Sequence, residues 1–422
     1  MTTSAPHDEA LVVRTVALDL PFGDLVDLLP DDAPVTWLRR GEGLVGWGVA
    51  AMVRTSGPTR FSDAAKWWSE TVARALVTDE VVEPGTGPVC FGSFAFADEP
   101  GDSVLVLPRV VVGHRGDRAW LTTVGPAADR LDDPLAERPT AAVPPGVSFT
   151  DGALNGEEWM SVVADAVARI GSGALEKVVL ARDLVATSDT PIDVRWPLQR
   201  LAATYPMCWT FHVDGMFGAT PEMLVRRERG LVTSRVLAGT IRRTGDDGRD
   251  LALAATLARS SKDLEEHEYA VRSVAEALEP HCSGMNVPEA PFVLHLPNVM
   301  HLATDVAGVV HAAEHPERSV SSLELAEALH PSAAVGGTPT PDAVALIAEI
   351  EGMDRGRYAG PVGWMDASGD GEWGIALRSA EVEGRTVRLF AGCGIVADSV
   401  PEAELAEAQA KFVPVRDALG PA

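Results

Sequence analysis

Basic residues are scarce in this chain of 422 residues. It contains 35 Lys and Arg against 61 Asp and Glu, so its formal net charge is −26 at pH 7. Proteins that bind nucleic acids or anionic membranes carry a basic surplus that neutralises phosphate groups. The charge therefore argues against both kinds of partner. It also means that an anionic substrate would need local cations or a metal ion.

Long apolar runs, targeting signals and clustered cysteines are also missing. No apolar run reaches the length of about 18 residues that a membrane-spanning helix needs. The first residues, MTTSAPHDEA, include neither a basic nor an apolar segment, so no secretory signal is visible. The four cysteines include no CxxC pair and are expected to be reduced thiols. These features predict a cytoplasmic protein that binds no membrane.

The order of predicted elements indicates an α+β fold. Residues 1–135 are rich in strands, with one helix around FSDAAKWWSETVARAL, and 137–149 are interpreted as a linker or long loop. Residues 150–418 mix strands with helices, and the last three strands, joined by short turns, suggest an antiparallel meander. We expect both parts to belong to one structural domain. The other predicted helices are 155–173, about 260–279, 322–329, 341–351 and a final helix from about 401.

Well-known cofactor and catalytic motifs are absent from the sequence, incomplete, or found in the wrong context. GEGLVG at 41–46 matches G-x-G-x-x-G, but WGVAAMV follows it with the alternation of a strand, so a hairpin is predicted instead of a dinucleotide site. HEYAV at 267–271 lacks the second histidine of a zinc protease motif. Neither a P-loop nor G-x-S-x-G occurs in the sequence.

The stretch LEKVVLARD places a lysine at the start of an apolar strand. Alternate strand residues share a face, so Lys177 is expected to point in the same direction as Val179 and Ala181. One interpretation is a lysine whose side chain reaches water at the strand end. The other is a desolvated amine that acts as a base.

Two predicted helices each present a pair of carboxylates one turn apart. Asp263 and Glu266 lie near the start of one helix, and Glu404 and Glu407 lie near the start of the last. Such pairs can simply complement the helix dipole on an exposed face. Together they could instead hold a hard cation such as Mg²⁺, which takes one or two protein carboxylates and fills its octahedron with other oxygens.

Four further positions allow both a structural and a functional interpretation. Glu222, in FGATPEMLV, is either a turn residue or a carboxyl with a raised pKa that serves as a general acid. Arg378 is predicted in mid-strand, where it would bind a carboxylate or form an ion pair. Gly392 and Gly394, in FAGCGIVADS, form an ordinary turn or allow backbone N–H groups to approach an anion.

Taken together and in order, these motifs resemble the chorismate-utilising enzymes, which include anthranilate synthase component I, aminodeoxychorismate synthase, salicylate synthase and isochorismate synthase. The resemblance covers roughly 150–418, while 1–135 has the general character of the family's variable N-terminal half. It implies large antiparallel sheets with helices outside and an active site in a cleft. The matching motifs are KVVLAR, GATPEMLV, LAGTIRR, SSKDLEEHEYAV, HLATDVAG, LHPSAAVGGTP, YAGPVGW, ALRSAEV and AGCGIVADSVPEAELAE.

The resemblance also implies roles for individual residues. Lys177 corresponds to a general base, and Glu222 corresponds to the general acid that protonates the leaving hydroxyl. Because members that use ammonia lack this lysine, Lys177 favours water as the nucleophile. Ala334 corresponds to a position where salicylate-forming and anthranilate-forming members typically carry threonine. The residues implied to contact the substrate are Ala238, Gly239, Thr240, His301, Ala334, Tyr358, Arg378, Gly392, Gly394 and Lys411.

A magnesium ion is the implied cofactor. Glu266 and Glu407 correspond to its ligands, and Asp263 and Glu404 are candidates for supporting positions. The ion would neutralise a carboxylate of chorismate, a dicarboxylate that carries a hydroxyl and an enolpyruvyl ether. This would meet the need for positive charge in a strongly acidic protein.

The predicted function is therefore isochorismate synthase, without efficient elimination of pyruvate. Salicylate synthase is the nearest alternative, and Ala334 argues against it. An amino-transferring enzyme would need ammonia or a glutaminase subunit, and Lys177 argues against that, so no glutaminase partner is expected. A non-catalytic relative would be expected to lose one of Lys177, Glu222, Glu266 and Glu407, yet all are present. A monomer is compatible with the sequence, which leaves the downstream pathway open.

Overall fold

Two large β-sheets, each built from strands of both halves of the chain, form the framework of the protein. The computed structural model describes residues 2–3, 11–19, 23–126, 136, 138–173, 175–295, 299–311 and 319–420, apart from the side chains of Thr2, Thr3, Lys262 and Glu266. Within these ranges, no helix is both long and apolar enough to cross a lipid bilayer.

Helices and strands are mixed along the chain. The α-helices are α1 Arg60–Ala73, α2 Gly156–Gly171, α3 Arg195–Thr204, α4 Asp247–Leu257, α5 Ser261–Leu278, α6 Ser322–Ala328, α7 Thr340–Ile350 and α8 Pro401–Leu419. Short 3₁₀ helices are Leu25–Leu28 and Glu279–His281. The strands are β1 Thr2–Thr3, β2 Val12–Leu18, β3 Val35–Arg39, β4 Glu42–Trp47, β5 Ala51–Thr55, β6 Leu76–Asp79, β7 Val89–Ser93, β8 Ser103–Leu107, β9 Val110–Arg115, β10 Arg118–Gly125, β11 Ser148–Asp151, β12 Lys177–Thr187, β13 Trp209–Val213, β14 Met216–Thr220, β15 Met223–Glu228, β16 Leu231–Arg242, β17 Cys282–Asn286, β18 Phe292–His295, β19 Val299–Val310, β20 Gly337–Thr338, β21 Pro361–Asp366, β22 Gly371–Ile375, β23 Ser379–Glu383 and β24 Thr386–Ile395.

The sheets interleave early and late segments of the chain. The first has 11 strands in the order β1-β5-β8-β7-β21-β22-β15-β16-β19-β17, with β18 also paired to β19. The second has 13 strands in the order β11-β12-β24-β23-β14-β13-β3-β4-β9-β10-β2-β6, with β20 also paired to β12. The pairing of β2 with β6 is parallel, in contrast to the antiparallel pairs that carry the cleft described below. The predicted α+β class with large antiparallel sheets is confirmed.

The sheets are in contact at a buried tryptophan. Trp37 of β3 belongs to the second sheet, and its indole Nε1 donates to Glu372 Oε2 of β22 in the first sheet at 2.7 Å. Gly374 leaves room for the ring, since a Cβ atom there would lie 2.9 Å from Trp37 Cη2. Contacts this close fix how the two sheets pack, and any side chain at Gly374 would force them apart.

Local sequence accounts for the long helix before β12. Asn155 caps α2 by accepting hydrogen bonds from the N–H groups of Glu157 and Glu158, at 2.9 and 3.0 Å. The Glu158 carboxylate accepts the Asn155 N–H in return at 2.9 Å, which completes a capping box. The helix buries one apolar stripe of Trp159, Val163, Ala166 and Ile170. This face packs α2 onto the second sheet and α8.

The hairpin prediction for GEGLVG is confirmed. Strands β3 and β4 pair with Arg39 opposite Glu42, so the loop consists of Arg40 and Gly41. Both loop residues have positive φ, 57° and 77°, as a type I′ turn requires. The same observation excludes a dinucleotide-binding turn, which would lead into a helix.

Several sequence expectations were wrong. The segment DLVDLLP was predicted as a strand but contains the 3₁₀ helix Leu25–Leu28, and α3 and α4 had no predicted counterpart. Of the predicted linker, 138–147 is irregular, Ser148 and Phe149 belong to β11, and residue 137 lies outside the described residues. The last strands form no single meander, since β21 and β22 pair in the first sheet while β23 and β24 pair in the second.

Arg378 illustrates this last error. It was predicted in mid-strand, but it lies in the bend between β22 and β23, where the chain crosses from one sheet to the other. Its φ of +50° falls in the left-handed region, which is uncommon for a residue with a side chain. The sequence EWGIALRSAEVEG contains no proline or turn motif at Arg378, so its pattern conceals the crossing.

Candidate active site

A cleft of about 290 Å³ lies where the two sheets meet helices α5 and α8. The first sheet contributes residues of β16 and β19 to its lining, and the second contributes residues of β12 and β24. Every predicted site residue lines this cleft except Glu266, whose side chain lies outside the described residues. The cleft thus brings together Lys177, Glu222, Ala238, Gly239, Thr240, Asp263, His301, Ala334, Tyr358, Arg378, Gly392, Gly394, Glu404, Glu407 and Lys411.

Lys177 opens β12 and faces the cleft together with Val179. Between them, Val178 is fully buried on the opposite face, as strand alternation requires. The pairing of Lys177 with Thr338 of β20 fixes the backbone at this point. The lysine is half-buried and lines both the cleft and a neighbouring cavity.

Glu222 sits in the short connection between β14 and β15 and is almost completely buried, with 6% of its surface exposed. Burial raises the pKa of its carboxyl to about 7, although the charges of Arg378, Lys177 and Lys411 act to lower it. Its carbonyl oxygen accepts the Ile375 N–H at 3.1 Å, which anchors the connection to the end of β22. A carboxyl that keeps its proton near neutral pH can act as a general acid.

A β-bulge opens the first sheet beside the cleft. The register of β16 against β19 shifts between Ala238 and Thr240, and Gly239 has a left-handed φ of 72°. A Cβ atom at Gly239 would lie 3.2 Å from the Cβ atom of Asp263, so glycine also permits the close approach of α5. The bulge therefore determines how near the acidic face of α5 comes to the sheet.

His301 lies opposite this bulge as a neutral imidazole. Its Nδ1 lies 3.0 Å from Thr240 Oγ1. Burial lowers its pKa to about 3, and the charges of Arg378 and Lys411 act in the same direction. It can thus offer a hydrogen bond to a polar ligand without adding charge to the cleft.

Arg378 and Lys411, two of the basic residues that line the cleft, differ in their contacts. In the described part of the chain, the Arg378 guanidinium forms neither an ion pair nor a hydrogen bond, although its charge affects the pKa of Glu222, His301 and Tyr358. Lys411 of α8 is held instead, since its Nζ donates to Gly392 O at 2.7 Å and lies 2.6 Å from Glu407 Oε1. The Arg378 guanidinium is therefore available to a bound anion.

The ion pair on α8 fixes the protonation of both partners. Burial acts to lower the pKa of Lys411, but the adjacent Glu407 carboxylate acts in the opposite direction and the pKa is raised. Burial acts to raise the pKa of Glu407, but the charge and hydrogen bond of Lys411 outweigh it and the pKa is lowered. Both groups are therefore charged at neutral pH.

Gly392 and Gly394 of β24 do not form a turn, which was one interpretation of their sequence. Gly392 and Gly394 remain paired with Ala181 and Val179 of β12, inside the ladder. A Cβ atom at Gly392 would lie 3.1 Å from the hydroxyl oxygen of Tyr358. These positions lack side chains on the face that lines the cleft, so their role there is to provide space.

Tyr358 closes the cleft as a neutral phenol. Its ring stacks on Phe390 with the centroids 5.0 Å apart. Burial raises its pKa to about 12, so the hydroxyl remains a hydrogen-bond donor at all ordinary pH values.

A buried ion pair supports the cleft and was missed in the sequence. Arg355 binds Glu351 through Nε and Nη2, and it also donates to the carbonyls of Val179 at 2.7 Å and Val335 at 3.0 Å. Glu351 accepts the Ala181 N–H at 2.7 Å. The pair thus ties the Lys177 strand to the loop that carries Ala334. The only signal in IEGMDRGRY was the spacing of a glutamate and an arginine by four residues.

Comparison with known proteins decides the family. Residues 35–420 match the model of a family described as chorismate binding enzyme. The chain belongs to the chorismate-binding enzymes. It is 32% identical over 407 residues to isochorismate synthase MenF of Bacillus subtilis, which covers 89% of this chain and 85% of that protein.

Two solved structures share the fold of this chain. The menaquinone-specific isochorismate synthase MenF of Escherichia coli has the same fold, with a TM-score of 0.78 at 24% identity, covering 99% of this chain and 96% of that one. Anthranilate synthase component I of Streptococcus pneumoniae has a TM-score of 0.70 at 20% identity, covering 88% and 91%. The predicted resemblance and fold are confirmed.

The donors of this chorismate-binding enzyme fit a hard divalent cation. Asp263 of α5 and Glu404 and Glu407 of α8 all line the cleft and offer carboxylate oxygens, the ligands that Mg²⁺ prefers. Glu404 is oriented by the Ser399 hydroxyl, which donates to its Oε1 at 2.8 Å. Cys393 Sγ lies within 4.8 Å of ligand atoms on both glutamates, but burial raises its pKa to about 12, so it remains a thiol. The oxygen donors are therefore the ones available to a cation.

Proposed function

We propose that this enzyme is an isochorismate synthase, which converts chorismate to isochorismate in the presence of Mg²⁺. The observation that carries the proposal is the placement of Glu222, a carboxyl with a pKa of about 7, in the same cleft as Lys177. An acid that holds its proton and a nearby amine are the two groups that exchange of a hydroxyl for water requires. The family assignment supports chorismate as the substrate.

Binding of the substrate would depend on local cations. Chorismate carries two carboxylates, and the chain has a net charge of −26. Arg378 provides a guanidinium that has no ion-pair partner among the described residues, and this group is suited to bidentate carboxylate binding. Tyr358 and His301 would contribute neutral hydrogen bonds, while Gly392 and Gly394 leave space for the ring.

The reaction would proceed by two coupled proton transfers. Lys177 takes a proton from a water molecule as the oxygen bonds to one ring carbon. Glu222 gives its proton to the hydroxyl on another ring carbon, so that the C–O bond breaks and water leaves. One water enters and one water departs, so the product is an isomer of the substrate. The enzyme finishes with an extra proton on Lys177 and one proton fewer on Glu222.

A magnesium ion, when bound, would neutralise a substrate carboxylate. Glu407 would be a ligand together with Glu266, which corresponds to a family ligand, and Asp263 and Glu404 would support the site. Since water is the nucleophile, no ammonia-supplying subunit is required. The methyl group of Ala334 lines the cleft at the position where threonine is typical of members that go on to release pyruvate.

The test is a product assay with purified protein. The enzyme is incubated with chorismate and Mg²⁺, and the products are separated by chromatography while pyruvate is measured in parallel. Isochorismate without stoichiometric pyruvate is the expected result. Equal amounts of salicylate and pyruvate would replace the proposal by salicylate synthase. Formation of an amino product only when ammonium is added would replace it by an amino-transferring activity.

A further inference from the structure

A small cavity behind Glu222 contains a hydroxyl group with no partner. Ser332 is buried, with 8% of its surface exposed, and its Oγ has no hydrogen-bond partner in the described part of the chain. Ser332 and Glu222 both line this cavity. Leaving a buried hydroxyl unpaired is unfavourable, so such groups in folded proteins usually bind an ordered water.

The volume and the lining of the cavity suit one water molecule. The cavity measures about 10 Å³, and a space of roughly this size is the lower limit for a single water. Two other residues with polar side chains line it, but both side chains already bind other groups. Ser234 Oγ donates to Leu224 O at 2.6 Å, and Arg235 forms an ion pair with Asp305 at 2.7 Å. The groups that remain for a water are the Ser332 hydroxyl and the Glu222 carboxyl.

The cavity lies between two larger spaces. It shares Glu222 and Ala334 with the catalytic cleft, and it shares Ala270 and Ala333 with an outer cavity of about 330 Å³. The outer cavity is also lined by Lys177. Glu222 therefore borders the small cavity and Lys177 borders the outer one, and Ala270 and Ala333 lie between the two.

We propose that a water held by Ser332 returns a proton to Glu222 after each turnover. This inference rests on the proposed function, in which Glu222 has lost a proton and Lys177 has gained one when the product forms. Lys177 releases its proton to water in the outer cavity, and an equivalent proton passes through the Ser332-bound water to the Glu222 carboxylate. The transfer moves one proton from the base to the acid, so no further reactant is needed. It occurs after the product has left the cleft and before the next substrate binds.

Ser332 is thus a positioning residue, and its loss has a distinctive kinetic consequence. Return of the proton follows release of the product, so it enters kcat but not kcat/KM. In Ser332→Ala the water loses one of its two partners, and we expect kcat and KM to fall together by roughly tenfold while kcat/KM stays within about twofold. A residue that only shapes the cleft would lower kcat/KM.

Matched variants separate this role from packing. Ser332→Thr keeps the hydroxyl and should restore kcat, while Ala333→Val keeps Ser332 but fills the cavity and should behave like Ser332→Ala. Ser93→Ala is the control. Ser93 also has a buried hydroxyl without a partner among the described residues, and it borders neither cavity. We expect its kinetic constants to equal those of the wild type.

A second measurement does not depend on turnover. In infrared difference spectra between pH 5 and pH 9, the C=O band of protonated Glu222 is assigned by its loss in Glu222→Gln. Removing a hydrogen bond from this group should shift the band to higher frequency in Ser332→Ala and leave it unchanged in Ser93→Ala.

The outcomes are distinguishable from failure of the proposed function. The relay is overturned if Ser332→Ala matches Ser93→Ala in kcat, if kcat/KM falls as much as kcat, or if the Glu222 band does not move. A wild-type enzyme that forms no isochorismate refutes the proposed function. The infrared band then decides alone whether a Ser332-bound water contacts Glu222.

Discussion

The guanidinium of Arg355 and the carboxylate of Glu351 form a buried ion pair in which Nη2 lies 2.6 Å from Oε2. Their side chains are only 3% and 1% exposed, so neither charge has access to water that could replace its partner. Because the pair also binds backbone groups of β12 and of the loop before α7, it links two segments that line the cleft.

Glu351→Ala should therefore destabilise the fold. Removing one member of a buried pair leaves the other charge unpaired, which typically costs about 3–5 kcal/mol. We expect a loss of this size in the free energy of unfolding, measured by urea denaturation followed by circular dichroism. Glu349→Ala, two residues earlier, removes an exposed ion pair with Arg169 and should change stability little. Equal effects of the two substitutions would contradict the structural role of the buried pair.

Glu222→Gln should lose most of its activity while the fold is retained. The amide has the shape of the acid but cannot supply a proton, and positioned acid–base catalysis contributes roughly 10²–10⁴-fold. We expect a fall of about this size in kcat with chorismate binding largely preserved, measured by the product assay and by equilibrium titration. A variant within a few-fold of the wild type would make Glu222 a structural residue only.

The raised pKa of Glu222 also predicts a dependence on pH. The carboxyl must be protonated to act as an acid, so kcat/KM should fall as the pH rises through about 7. The same shift affects stability in a defined direction. A carboxyl with a folded-state pKa above its unfolded value stabilises the protein at low pH, and this contribution disappears between about pH 4.5 and 7. Glu222→Gln should therefore be more stable than the wild type at pH 8, by about 3 kcal/mol.

Substitutions of Lys177 distinguish a base from a positive charge. Lys177→Ala should fold normally, because the side chain is only half-buried at a strand end, and it should nearly abolish isochorismate formation. Lys177→Arg should fail almost as badly, since a guanidinium is not deprotonated in proteins. The measurement is the product assay on both variants, with circular dichroism to confirm folding. Near-native activity of folded Lys177→Arg would mean that the residue supplies only charge.

Removal of divalent cations should stop turnover. The cleft presents carboxylates from α5 and α8 to an anionic substrate, so we expect full loss of activity in excess chelator and recovery on addition of Mg²⁺. Glu407→Gln should raise the Mg²⁺ concentration needed for half-maximal activity, and Glu402→Gln, an exposed residue on the same helix, should not. Undiminished activity in chelator would end the metal assignment.

The motifs selected residues that the fold brings together in one cleft, because chemistry restricts residue types most strongly at a candidate site. Lys177, Glu222, His301 and Lys411 are far apart in sequence, yet all line one cleft. The alternation of β12 was also readable, since Lys177 and Val179 face the cleft while Val178 is buried on the other side. A sequence predicts where a side chain lies when its residue type and the local periodicity both indicate the same face.

Features that depend on distant partners could not be read in this way. Arg378 lies where the chain crosses between the two sheets. The sequence of a strand-like stretch does not reveal that its first half joins one sheet and its second half the other. The cavity beside Ser332 depends on how α5 packs against the loop before α7, which leaves no local pattern. Helix α3 buries Arg195 and Pro197 beside Leu198 and Leu201, so its inner face is not uniformly apolar.

The interleaved sheets constrain how a nascent chain can fold. Strand β24, the last strand in sequence order among the described residues, sits between β12 and β23 in the interior of its sheet, and β7 pairs with β21, more than 260 residues later. Neither sheet can be completed until its late strands have been synthesised, and until then the early strands keep unpaired edges. The emerging polypeptide is therefore exposed to aggregation until β21 and β24 have left the ribosome, and binding by a chaperone would matter most during that interval.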